Sequence, residues 1–196
     1  MEKENMSSER IQPEIIVFAG PNGSGKSTVT KFARTTGMYI NADDIKRASH
    51  CSDLEAAMFA EHLRENALEQ LQDFTFETVL STDRNLKLLQ RAKEKGYFIR
   101  CFYVVTADPN INVARVNMRA MQGGHGVPED KVRQRYDRAL KLIAPLVEVC
   151  DVMHIYDNTQ EPFRIFKKRK TAFFQWTNKY WNTEQIEKLT GIQIPH

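Results

Sequence analysis

The residues Gly20-Pro21-Asn22-Gly23-Ser24-Gly25-Lys26-Ser27 match the pattern G-x-x-x-x-G-K-[ST] at every fixed position. The residue types fit one kind of chemistry. Glycines let the backbone curl into a nest whose N–H groups face phosphate oxygens with no Cβ in the way. A helix starting at Lys26, with Thr28 in its first turn, adds its positive end. Lys26 is then placed for β- and γ-phosphates, and Ser27 offers a hydroxyl to Mg²⁺. No guanine-reading N-K-x-D pattern occurs, so the expected pair is ATP and Mg²⁺.

Three further clusters narrow the use of the phosphate. In Asn41-Ala42-Asp43-Asp44, Asp43 is the expected base for an acceptor hydroxyl, while Asp44 is expected to cap the next helix. In Phe74-Thr75-Phe76-Glu77-Thr78, Thr75 interrupts what an ATPase motor would show as an apolar run ending in acid. Glu77 and Thr78 are instead expected to meet substrate. The third cluster runs from Arg115 to Arg138. Arg115 and Arg119 share a helix face at a spacing of four. Gly123-Gly124-His125-Gly126 follows, and Pro128 opens a helix carrying Lys131, Arg133, Arg135 and Arg138. Two helices on a glycine hinge form an arginine lid, with Arg115 and Arg119 offsetting charge on the transferred phosphoryl group. Lys131 and Arg138 are expected to be solvated.

The elements that position these groups alternate. Strands are expected at Glu14–Phe18, Met38–Asn41, Phe74–Thr78, Tyr97–Val105 and Val152–Tyr156, with helices between them. One of these helices is Leu54–Leu71, with Leu54, Ala57 or Met58, and Leu68 or Leu71 recurring at helical spacing; another is Leu86–Lys95, closed by Gly96. The fold expected is a three-layer α/β P-loop NTPase/kinase fold: a mostly parallel five-stranded sheet with a helical lid at about residues 110–140. In such sheets ligands bind beyond the carboxyl ends of the strands, where Gly20–Ser27, Asn41–Asp44 and Glu77–Thr82 fall.

Bulk properties bound the rest. The 196 residues suit a single domain over 1–196, with 41% hydrophobic and 27% charged residues. A net charge of +3 fits nucleotide ligands and is too small to argue for nucleic acid. Cys51, Cys101 and Cys150 are far apart with no CxxC pair, which argues against a disulfide framework or zinc and for a reducing compartment. Met1 to Gln12 is polar, and no apolar run is long enough to span a membrane, so a cytoplasmic location is expected. His50, His62 and His154 lack ligand-spaced partners. Over 160–196, FRIFKKRK leads into Phe173, Phe174, Trp176, Tyr180 and Trp181. We read an edge hairpin turning at Lys167–Lys170, followed by a helix, in preference to a nucleic-acid or membrane surface.

In order, AGPNGSGKST, INADDI, FETVLST, RVNMR and QGGHGVPEDKVRQRY resemble the zeta-toxin-like group of P-loop kinases, over roughly Glu14 to Asn158. The resemblance is closest to small bacterial proteins labelled predicted ABC-type ATPases. It implies transfer of the γ-phosphate to the 3′-hydroxyl of UDP-N-acetylglucosamine, with an antitoxin protein as partner. It places Asp43 on the catalytic base, Glu77 on a substrate-binding glutamate and Arg115 near the first lid arginine. Where zeta toxins carry a second lid arginine before Thr-Pro, this chain has His125 before Gly126-Val127-Pro128, leaving Arg133 or Arg135 to serve. The alternative class is a nucleotide-binding switch or slow ATPase acting through a protein partner.

Overall fold

The computed structural model describes residues 12–124 and 126–193. His125 and the polar leader therefore lie outside the described residues, apart from Gln12. The sheet starts with β1 (Glu14–Ala19), buried along nearly all its length, as a β-branched run between two strands requires. β2 (Met38–Ile40), β3 (Phe74–Thr78), β4 (Phe98–Val105) and β5 (Val152–Asp157) run parallel to it. β6 (Phe163–Arg169) and β7 (Ala172–Gln175) are antiparallel, giving the order β2-β3-β1-β4-β5-β6-β7. The hairpin thus adds two strands to the five expected, and its turn is at Lys170–Thr171, not Lys167–Lys170. Lys167 instead sits within β6, opposite His154 and Phe174.

Alternation along the strands sends Ile15, Val17, Phe74, Phe76, Ile99, Cys101, Met153 and Ile155 into the main core. That face is covered by α3 (Asp53–Glu69), α4 (Arg84–Glu94), α7 (Ile143–Val149) and α8 (Thr183–Thr190). The short α1 (Lys26–Thr30) packs on the opposite face over β1 and β4. Within α3 the buried stripe is Ala56, Ala60, Arg64, Ala67 and Leu68, whereas Leu54 and Met58 are exposed. The expected stripe is thus met at Leu68 and missed at Leu54 and Met58. The face that α3 turns to the core is mostly alanine, and Arg64 is accommodated over the Phe76 ring. A capping box between Ser52 and Glu55 starts this helix.

α5 (Pro109–Met121) and α6 (Glu129–Lys141) form the expected helical pair. They hold together through Val113, Val116 and Val132, a small cluster separate from the main core. Tyr103 and Tyr136 tie α6 to the sheet, donating to the carbonyls of Ala139 and Thr106.

Candidate functional site

At the carboxyl end of β1 the chain turns at Gly20 and wraps into the loop that α1 closes. Two glycines are required by their surroundings as well as by φ. Gly23 (φ 75°) would bring a Cβ to 2.5 Å from the Asn112 carbonyl, and Gly25 (φ 88°) to 2.1 Å from Asn158 Nδ2. The loop is clamped from outside. Asn112 Nδ2 donates to the Asn22 carbonyl at 2.7 Å, and Asn158 Nδ2 to that of Ser24 at 2.8 Å. Ser24 Oγ is buried with no partner among the described residues. A clamped backbone fixes the N–H nest before any phosphate arrives, which removes an ordering cost from binding.

Lys26 Nζ donates to the carbonyls of Gly20 (2.8 Å) and Pro21 (3.2 Å). Its pKa is pushed down to about 8, first by burial and further by Arg119, against the opposing pull of Glu77 and Asp43. The lysine thus sits in the combined field of both expected carboxylates and one lid arginine. Ser27 and Thr28 are exposed on the first turn of α1. The Ser27 hydroxyl fits Mg²⁺, an oxygen-seeking ion that is commonly held by few protein ligands and by substrate phosphates. The described residues contain no group of three His, Cys, Asp or Glu able to hold a metal.

Asn41, not Asp44, caps α2 (Ala42–Ser49), its side chain accepting from the Asp43 amide at 2.9 Å. Asp44 is paired with Arg47 instead. The Asp43 carboxylate is exposed on the first turn and makes no ion pair with a described residue, so it is available to a ligand. Glu77 accepts from Tyr39 Oη at 2.5 Å and from Thr30 Oγ1 at 3.5 Å. Tyr39 has its pKa pushed up beyond the ordinary tyrosine range by burial first and by Glu77 next, so it stays a donor. Thr78 faces its own loop, where its hydroxyl accepts from the Leu80 amide and Asn85 Nδ2.

The lid arginines divide differently from their spacing in sequence. Arg115 donates to the carbonyls of Asn158 (2.8 Å) and Thr159 (3.1 Å), tying α5 to the loop after β5. Arg119 is the one whose charge reaches Lys26. Arg133 is engaged by Glu129 and Asn110. Arg135 reaches the phosphate loop at Asn22 Oδ1, 3.3 Å away. Beside α1 lies a cavity of about 520 Å³ lined by Thr28, Val29, Phe32, Phe102, Tyr156 and Pro162.

Sequence reasoning passed over Asn112, Asn158 and Tyr39. Asn158 had a signal, since it follows β5 and the carboxyl-end rule applies to that strand as to the others. Asn112 and Tyr39 had none: a helical asparagine and a strand tyrosine look like any other.

Comparison with known proteins places this geometry. An uncharacterized protein of Haemophilus influenzae is 32% identical over 132 residues, covering 64% of this chain and 94% of its own length. A structure from the PezAT chromosomal toxin-antitoxin system of Streptococcus pneumoniae is similar over 98% of this chain and 84% of its own. Its TM-score is 0.54 at 18% identity. The AvrRxo1-ORF1:-ORF2 complex with ATP matches with a TM-score of 0.69 at 14% identity, over 94% of this chain and 66% of the matched one. At such identities the two structures speak for the fold. The zeta toxin family model matches residues 1–171, and the chain belongs to that family.

Proposed function

We propose that the protein is an ATP-dependent phosphotransferase acting on a small-molecule hydroxyl. The observation that carries this reading is the placement of the phosphate loop, Asp43 and Glu77 at the carboxyl ends of β1, β2 and β3, with Asp43, Glu77 and Arg119 near enough to act on the Lys26 charge. Membership of the zeta toxin family and the kinase-like fold support ATP-dependent phosphotransfer in general. ATP, with Mg²⁺, supplies the phosphoryl group and the charge that holds it.

In this reading the amides of residues 20–27 and the Lys26 ammonium bind the β- and γ-phosphates, and Ser27 orients the ion. Lys26 must leave the Gly20 and Pro21 carbonyls to do so, exchanging two hydrogen bonds for charge-assisted ones. The cavity beside Thr28 takes the nucleobase. Asp43 accepts the acceptor's hydroxyl proton as the oxygen bonds to the γ-phosphorus and the bond to ADP breaks. Glu77, oriented by Tyr39, holds a second hydroxyl or amide of the acceptor. Arg119 and Arg135 stabilise charge on the moving group, while Arg115 positions the loop that carries Asn158.

A sugar nucleotide is the acceptor class that suits a hydroxyl presented to two carboxylates, with UDP-N-acetylglucosamine the first to test. An antitoxin would be the protein partner. The fold and lid belong to one domain spanning the chain, in a cytoplasmic protein; no described helix is long and apolar enough to cross a membrane. Incubation with Mg-ATP and a panel of sugar nucleotides, read by mass spectrometry, tests the proposal. A phosphorylated sugar nucleotide that disappears with Asp43→Asn supports it. ATP consumption that no acceptor stimulates speaks against it.

A further inference from the structure

The far end of the sheet holds a second concavity with a different character. A cavity of about 360 Å³ is lined by Phe98, Arg100, His154, Lys167, Arg169 and Lys170, among others. Phe98 opens β4, and Arg169 ends β6 opposite the first residue of β5. The cavity therefore lies at the amino ends of the parallel strands, about 20 Å along β4 from the end that carries the phosphate loop.

Strand register gathers the cations. Arg100 pairs with Val152, Val152 with Arg169, and His154 with Lys167, so these side chains share one face. The intervening Lys168 turns to the other face, donating to the carbonyls of Val147 and Glu148. Of the nearby acids, one pairs with a cavity cation and one is committed elsewhere. Glu14 binds Arg100 at 3.0 Å, and Asp151 is held by Lys93 and the Ile99 amide. Lys167, Arg169 and Lys170 make no ion pair with a described residue; Lys167 instead lies over the Phe174 ring. The surplus of positive charge is felt by His154. Burial, then Arg164, Lys167 and Arg100, push its pKa down to about 4, and its Nδ1 is buried without a partner.

A basic edge hairpin can serve simply to keep sheet edges from pairing with other chains. That role calls for charges spread along a convex rim. Here four cations, one of them paired with Glu14, surround a concave site floored by an aromatic ring and a neutral histidine, which concentrates the field. Two are arginines, whose forks suit phosphate oxygens. The cavity has room for a short phosphate chain and is too small for a folded partner. We propose that it is an anion site for a ligand bearing two or three linked phosphates, separate from the phosphate loop. It stands apart from the kinase reading.

Titration of inorganic tripolyphosphate into the full chain at low salt tests this by calorimetry. The native protein should show two sites. Lys167→Ala/Arg169→Ala should weaken one of them at least tenfold and leave the other, while Lys26→Ala should do the reverse. Lys131→Ala/Arg138→Ala removes the same charge from exposed lid positions and should change neither. The proposal is overturned by a single site sensitive only to Lys26, or by equal loss in the two double variants. It is also overturned by a poly-glutamate peptide binding this cavity more tightly than tripolyphosphate. A nucleoside diphosphate and a short single-stranded oligonucleotide then separate the sources of the phosphates. Affinity rising with oligonucleotide length marks a nucleic-acid backbone, and length-independent binding marks a small phosphorylated ligand.

Discussion

Lys26 carries the most informative charge in the protein. With its pKa near 8, it is largely protonated at neutral pH and loses its proton as pH rises through 8. Bound phosphates favour the charged form, so binding above pH 8 requires proton uptake. ATP affinity should therefore be nearly flat between about pH 6 and 7, roughly one unit or more below the midpoint, and should fall by up to about tenfold per unit above pH 8. Calorimetry across that range checks it; a flat profile to pH 10 would contradict a depressed lysine. Tyr39 offers a second test at this scale. Tyr39→Phe removes the donor to Glu77 while leaving Lys26 and the loop untouched. A neutral-to-charged hydrogen bond is worth about 1.5–3 kcal/mol. The acceptor KM should rise by about tenfold or more, with ATP affinity unchanged in a binding assay.

At the scale of elements, the phosphate loop, β1 and the start of α1 were legible because their determinants are local: a buried apolar strand, glycines at fixed offsets, then Lys26 and Ser27. The positions of Asp43, just after β2, and Glu77, near the end of β3, were legible from the same local signals. The roles within the arginine lid were not legible. Spacing shows that Arg115 and Arg119 share a face, but which guanidinium meets the loop after β5 depends on how α5 docks. Likewise Leu54 and Met58 fitted a helical stripe, yet the face that α3 turns to the core carries Ala56, Ala60, Ala67 and Leu68. The two arginines make a testable contrast. Arg115→Ala should lower unfolding stability by about 2 kcal/mol, since two charged hydrogen bonds to carbonyls are lost. Arg119→Ala should cut kcat by roughly a hundredfold, a larger kinetic loss than Arg115→Ala gives. Thermal melts with steady-state kinetics on both variants check this; matching losses in the two would contradict the division of roles.

Across the whole molecule, one hydrogen-bonded path links the C-terminal segment to the phosphate loop. Asn178 Nδ2 donates to the buried Asp157 carboxylate, which also accepts from the Thr159 amide and hydroxyl. The neighbouring Asn158 holds the Ser24 carbonyl. The same segment places Trp181 and Ile186 in the main core. Burying two such side chains is worth about 3–6 kcal/mol, a large share of a domain's net stability. A chain ending at Gln175 should therefore lose cooperative thermal unfolding, whereas Asn178→Ala should unfold cooperatively with ATP affinity reduced several-fold. Circular dichroism melts and calorimetry separate the two.

The most direct test of the account pairs Mg-ATP binding with phosphoryl transfer in the native protein and in Asp43→Asn. Asn41 caps α2, and Asp43 makes no side-chain bond that the fold needs, so the variant should fold and bind ATP as the native chain does. The account predicts native-like ATP affinity with transfer to the acceptor reduced at least a hundredfold. Transfer at the native rate by Asp43→Asn would remove Asp43 from the chemistry and contradict the proposed site.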